Sequence, residues 1–213
     1  MSDHRSIPFL PIVCAGAILA ACSPQATHTP PAPRVTPAAL ARPTAPQDFA
    51  PTDGAFILGE VDDRQALAAF LRVYAAEARA PQLKAVVART VDGGPAHPRI
   101  TLVYLADSGW CGSGGCNLLV LEPDSEGLKQ LSRTTVSHAP VRVLTTRTNG
   151  MPDLSVRVRG DYYPGEGPKF VVLPFDGDSY AMNPTIPPAQ LLRGPIDGEI
   201  AITEEQVATA FRQ

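Results

Sequence analysis

The chain has no cluster of lysine and arginine and no basic stripe interleaved with aromatics, which excludes a nucleic-acid-binding surface. Its 18 Lys and Arg residues are mixed with 21 Asp and Glu along 213 residues, leaving a net charge of −3. With a pI near 5.8, that balance points to no particular charged partner. There is no G-x-x-x-x-G-K-[ST] loop and no dinucleotide fingerprint after a strand, so nucleotide chemistry has no foothold. Histidine and cysteine, at four residues each, lack the paired spacing of a zinc site. The leading apolar run, over 7–21, is about 15 residues long, short of the roughly 20 that a membrane-spanning helix requires.

That run ends in an informative way. Residues 1–6 are polar with one arginine, and residues 7–21 are almost wholly apolar, interrupted by Pro8, Pro11 and Gly16. The run closes on Leu19-Ala20-Ala21-Cys22, an apolar residue and two small residues before a cysteine. This resembles the lipobox of bacterial lipoproteins, in which the cysteine is lipidated and becomes the first residue of the mature chain. The resemblance implies a signal peptide over 1–21, removed on export, and lipidation of Cys22. By analogy with Gram-negative sorting, Ser23 rather than Asp after the cysteine implies a periplasmic protein anchored to the outer membrane. Two or three acyl chains, at about 0.8 kcal/mol per buried methylene, would hold it firmly.

Residues 22–53 have another composition. Pro24, Pro30, Pro31, Pro33, Pro37, Pro43, Pro46 and Pro51 fall among Ala, Thr and Gln. Proline removes amide donors and stiffens the chain toward polyproline II, so this stretch cannot build a core. It reads as a tether reaching from roughly 30 Å as a coil to about 100 Å extended.

Residues 54–213 are long enough for one domain with a core. Over 62–80, Leu67, Phe70, Leu71 and Tyr74 recur at helical spacing behind Asp63 and ahead of Pro81, predicting an amphipathic helix. The period then changes. Runs at 83–90, 99–106, 117–122, 128–135, 141–148, 153–159 and 169–175 are rich in Val, Leu, Thr and Tyr and bounded by turn residues. Strands so closely spaced predict an antiparallel meander. Asn149-Gly150 suits a hairpin turn between 141–148 and 153–159, and Asp176-Gly177 suits one between 169–175 and 179–182. Alternation through Leu154-Ser155-Val156-Arg157-Val158-Arg159 predicts one buried and one solvated face. Thr203-Glu204-Glu205-Gln206, ahead of Val207, Ala210 and Phe211, is a capping-box pattern for a short final helix. The expected fold class is α+β: an N-terminal amphipathic helix, a twisted antiparallel sheet and a short closing helix.

With Cys14 in the signal and Cys22 lipidated, Cys111 and Cys116 remain as one pair, and an exported chain predicts their disulfide. They bracket Gly112-Ser113-Gly114-Gly115. Cys-Gly-Ser-Gly-Gly-Cys followed by Asn117-Leu118-Leu119-Val120-Leu121 resembles a group of uncharacterised bacterial secreted proteins and lipoproteins. Further shared elements are Ala139-Pro140-Val141-Arg142-Val143, Thr148-Asn149-Gly150 with Asp153-Leu154, and Phe175-Asp176-Gly177-Asp178-Ser179-Tyr180 before Asn183-Pro184. In that group an acidic loop suggestive of calcium often precedes the second strand. Here the matching loop, Thr90-Val91-Asp92-Gly93-Gly94, has one carboxylate, against the six to eight oxygens calcium takes. No metal and no cofactor are expected.

Nucleophilic catalysis needs a nucleophile, a base within reach and an orienting third group. Gly112-Ser113-Gly114-Gly115 superficially resembles a serine-protease loop, but His97 and Asp107 lie too near it in sequence for the two-barrel arrangement. Asp62/Asp63 and Glu204/Glu205 sit at helix starts, where they complement the dipole. The expectation is a non-enzymatic envelope protein binding an envelope protein or a cell-wall component, in a narrower form inhibiting a wall-degrading enzyme. Tyr162 and Tyr163, on a Pro/Gly-rich loop, and Trp110 are the candidate partner-binding aromatics. The rivals are a hydrolase assembled from Asp107, Ser113, Glu122 and His138, and a purely structural envelope role.

Overall fold

The computed structural model describes residues 55–79, 82–165 and 167–213. The signal-like run, Cys22 and the proline-rich stretch to residue 53 lie outside the described residues, as do Pro81 and Glu166. Described elements run in the order β1 (Phe56–Leu58), α1 (Arg64–Glu77), β2 (Ala85–Val91), β3 (Ile100–Tyr104), β4 (Cys111–Gly112), β5 (Gly115–Asp124), β6 (Gly127–Thr148), β7 (Met151–Val158), β8 (Lys169–Leu173), β9 (Gln190–Leu191), β10 (Glu199–Ile202) and α2 (Glu204–Ala210). They form an open mixed sheet, β1-β2-β3-β5-β6-β7-β8-β9, with β4 on β5 and β10 on β6. Among the described residues no helix is long and apolar enough to cross a membrane.

From β2 to β9 each neighbouring pair is antiparallel. One pair corrects the purely antiparallel expectation: β1 runs parallel to β2. Parallel neighbours need a crossover, and α1 supplies it. Asp63 caps that helix by accepting from the Ala66 amide at 2.8 Å. Arg64 in its first turn donates to the carbonyls of Ile57 and Gly59, tying helix to strand.

A second correction concerns β6. The sequence predicts separate strands at 128–135 and 141–148, but a single 22-residue strand covers both. Its first part pairs with β5 as far as Ser137, and its second pairs with β7 from His138 onward. At this junction Val136 adopts a φ of 49°. A strand that bends rather than stops can serve two differently oriented parts of a sheet.

The bend folds the sheet over its main core. Val87, Leu102, Tyr104, Leu118 and Val120 from one side meet Leu154, Val156, Val158, Val171 and Leu173 from the other. Alternate residues of the same strands (Val86, Ala88, Val103, Leu105, Leu119 and Leu121) face the opposite way and pack with Leu67 and Leu71 of α1. Period-2 burial on both faces marks a sheet covered on both sides. Helix α2 adds Val207 and Ala210 to the main core. Its capping box is complete: Thr203 Oγ1 accepts from the Gln206 amide, and Gln206 Oε1 accepts from the Thr203 amide.

The turns resolve unevenly. Asn149 and Gly150 both have positive φ, at 50° and 84°, in a two-residue loop closed by Thr148 opposite Met151. The hairpin expected at Asp176-Gly177 reduces to a single bridge between Phe175 and Tyr180. Residues 181–182 instead bond to β6, where the Thr134 hydroxyl donates to the Ala181 carbonyl and the Thr135 amide to that of Met182. The solvated face expected on β7 also needs correction, because Ser155 is fully buried. The chain between β9, on β8, and β10, on β6, lines a groove on that side of the sheet together with Leu144, Asp153 and Val172.

Candidate functional site

β4 and β5 make a tight hairpin with Cys111 opposite Cys116 and Gly112 opposite Gly115, leaving Ser113 and Gly114 at the tip. Cys111 and Cys116 form a disulfide, with sulfurs 2.06 Å apart. Glycine is required where the hairpin lies on the bend of β6. Gly115 has a φ of 128°, and a Cβ there would stand 2.5 Å from the Ser137 carbonyl oxygen. A Cβ on Gly114 would meet Val136 Cγ1 at 2.9 Å and the Tyr162 hydroxyl at 3.2 Å. The tip is held from the side by the Arg159 guanidinium, which donates to the Ser113 carbonyl at 3.1 Å.

His138 lies just past the bend, half-buried beside the hairpin. Burial, with the charges of Arg157 and Arg159, holds its imidazole below the ordinary pKa, against an opposing hydrogen bond with the Gly114 backbone. Its Nε2 is buried with no hydrogen-bond partner among the described residues. Arg157 donates to the Ala139 carbonyl at 3.0 Å and pairs with Glu204 at 3.3 Å. Arg159 pairs with Asp161 at 3.0 Å. The hairpin thus has the Arg159 guanidinium on its tip and the half-buried His138 imidazole beside it.

The three aromatic candidates separate. Tyr162, on a single 3-10 turn at Gly160–Tyr162, is 45% exposed, with its hydroxyl against the hairpin tip. Tyr163 is half-buried on the main core and donates to the Pro184 carbonyl at 3.1 Å. Trp110 faces the other side of the sheet, stacked on Tyr74, which in turn stacks on Phe70. Only Tyr162 stands beside the glycine-rich tip as an open aromatic.

The residues considered for hydrolysis do not share one cleft. Asp107 is buried, and its two oxygens accept from the amides of Lys84 and Gly109 at 2.7 and 2.8 Å, which makes it a loop brace. Ser113 and His138 share the hairpin end. Glu122 lies six positions along β5 from Cys116, about 20 Å away at strand rise, where it contacts His97 Nδ1 at 2.5 Å and Lys129 at 3.0 Å. Burial would raise its carboxyl, but the hydrogen bonds from His97 and Lys129 outweigh that and lower it. Asp92 accepts from the Gly94 amide at 2.8 Å and faces Arg147 at 3.8 Å. Asp62 is not only a helix-start charge, since it takes two hydrogen bonds from Arg99, both 2.6 Å, which lower its pKa.

Sequence reading missed Arg159, just past β7, as a neighbour of the hairpin: alternation marked it as outward, but its contact with the Ser113 carbonyl depends on β6 pairing with both β5 and β7. The His97–Glu122 contact had no local signal either, being set by the β3–β5 register, in which Thr101 lies opposite Leu121. Comparison with protein-family models, with curated proteins and with solved structures finds no match.

Proposed function

We propose that this chain is an envelope lipoprotein, tethered to the outer membrane through Cys22 and binding a partner on its β-rich domain without transforming it. The observation that carries the reading is Tyr162, an exposed ring seated on a disulfide-clasped glycine hairpin. A rigid aromatic loses little entropy on binding and supplies a large contact area, the properties of an interface anchor. The half-exposed Arg159 guanidinium on the hairpin tip suits a partner offering carboxylates or carbonyls. We infer membership of the bacterial lipoprotein group that the Cys-Gly-Ser-Gly-Gly-Cys loop resembles, with an α+β fold whose sheet is an antiparallel meander from β2 to β9. The partner is an envelope protein or a cell-wall component, and inhibition of a wall-degrading enzyme is the narrow form.

A hydrolase is the second reading, reduced to Ser113 and the half-buried His138 at the hairpin end, since Asp107 and Glu122 lie elsewhere; the buried Nε2 of His138, without a partner among the described residues, favours it. One experiment separates the two: envelope extract is passed over the full chain in wild-type, Tyr162→Ala and His138→Gln forms. Binding predicts a retained component that is lost with Tyr162→Ala, and recovered chemically unchanged from wild type. Retention equal in wild type and Tyr162→Ala would overturn the reading. For the narrow form, no effect on chicken-, goose- or invertebrate-type lysozyme would remove it.

A further inference from the structure

A groove of about 430 Å³ lies on the far side of β6, β7 and β8 from the main core, lined by Leu144, Thr146, Asp153, Val172, Gln190 and Leu192 among others. The chain between β9 and β10 forms its outer wall. That wall is fastened at both ends: the Leu192 amide donates to the Phe170 carbonyl at 2.8 Å, and Gly198 lies against β6, where a Cβ would stand 2.3 Å from the Val143 carbonyl oxygen.

Asp153 at its floor is unusual. It is 6% exposed, and its Oδ1 has no hydrogen-bond partner among the described residues. Leaving a buried acceptor unpaired costs on the order of 1–3 kcal/mol, and more when it is charged. Ser155 Oγ, two residues along the same face, and Nε of Arg142, opposite Ser155, are also buried without partners among the described residues. The strand beside Asp153 is irregular: Val143 is opposite Leu154 and Arg147 opposite Pro152, so Leu144, Thr145 and Thr146 together face Asp153. Such bulges re-aim backbone and side-chain groups and recur next to binding sites. A buried polar group left unsatisfied at an irregular strand beside an open groove departs from local rules in the way functional sites do.

We propose that this groove binds a small ligand bearing one primary ammonium group on an aliphatic body. The ammonium would sit against Asp153, whose carboxylate offers the only buried acidic group of the lining. Its remaining N–H groups would be met by the threonine hydroxyls of the bulge. Leu144, Val172, Leu191 and Leu192 supply apolar walls for a methylene chain. One buried carboxylate matches a monocation in charge. Among the described residues no group of three or more His, Cys, Asp or Glu is placed to hold a metal ion, so a divalent ion would lack ligands here.

The test is an NMR titration of the full isotope-labelled chain with n-butylammonium chloride, against 1-butanol as the uncharged counterpart. The amides of residues 144–148 and 190–193 should shift saturably with a Kd of about 1–10 mM, and 1-butanol should bind at least about tenfold more weakly. Asp153→Asn, nearly the same size, should weaken n-butylammonium at least tenfold while the chain still unfolds in one cooperative transition. Should that variant fail to fold, the exposed rim change Thr146→Phe fills the groove mouth and should abolish the shifts. Linear shifts, equal response to 1-butanol, or undiminished binding by Asp153→Asn or Thr146→Phe would each overturn the proposal.

Discussion

Replacing both hairpin cysteines, Cys111→Ala with Cys116→Ala, removes a covalent clasp whose contribution can be worked from its span. The two residues are separated by five positions, and the chain-entropy relation for so short a loop gives about 2 kcal/mol. For a domain of this size each kcal/mol moves the thermal midpoint by about 2–4 °C, so the double variant should melt about 4–8 °C lower. The hairpin should survive, because Gly112 remains opposite Gly115 and Gly115 stays wedged against Ser137. Circular dichroism melts of wild type with and without reductant, and of the double variant, form the assay. Reductant should lower wild type to the level of the variant and leave the variant unmoved. A midpoint shift below about 1 °C in both comparisons would refute the reasoning, since the clasp would then restrict nothing in the unfolded chain.

Two further predictions concern the core beneath the hairpin. Burial pushes the Tyr104 hydroxyl up to about 12, against the opposing charge of Arg157, and Tyr180 moves in the same direction for the same first cause. The folded state therefore keeps protons that the unfolded chain releases above pH about 10. Stability is full below that pH and should fall by about 2–3 kcal/mol for Tyr104 alone as pH rises to about 12. Urea midpoints across this window should fall for wild type and fall less for Tyr104→Phe, and a flat wild-type profile would contradict the assigned burial. Gly115→Ala combines a positive φ with a clash against the Ser137 carbonyl. It should cost about 2–4 kcal/mol by denaturant unfolding, and a neutral result would mean that the hairpin does not lie on β6 as described.

What the sequence made legible was local. The Asn149-Gly150 turn, the Thr203/Gln206 capping box and the Cys111–Cys116 pairing each depend on residues within a few positions of one another. What it hid depends on distant partners. Nothing around Val136 signals a non-glycine residue at positive φ, so one bent strand read as two. The 179–182 run has strand-like composition, yet it bonds to Thr134 and Thr135 rather than to β8. Ser155 alternates with core residues as a solvated position would, yet it is fully buried. The site was legible to the same degree. Tyr162 and the disulfide could be named from sequence, whereas their proximity to His138 and Arg159 depends on strand pairings across β6.

The most direct test of the central claim, a tethered domain that binds through the hairpin face, is site-specific photocrosslinking in intact Gram-negative cells. A photoreactive residue would replace Tyr162 in the full chain, with the similarly exposed Phe211, at the C-terminal cap of α2, as control (45% and 46% exposed). The account predicts a discrete crosslinked species in the envelope fraction from position 162, none from 211, and its loss when Cys22→Ala prevents anchoring. Equal crosslinking from both positions, or none from 162 in the anchored protein, would contradict it.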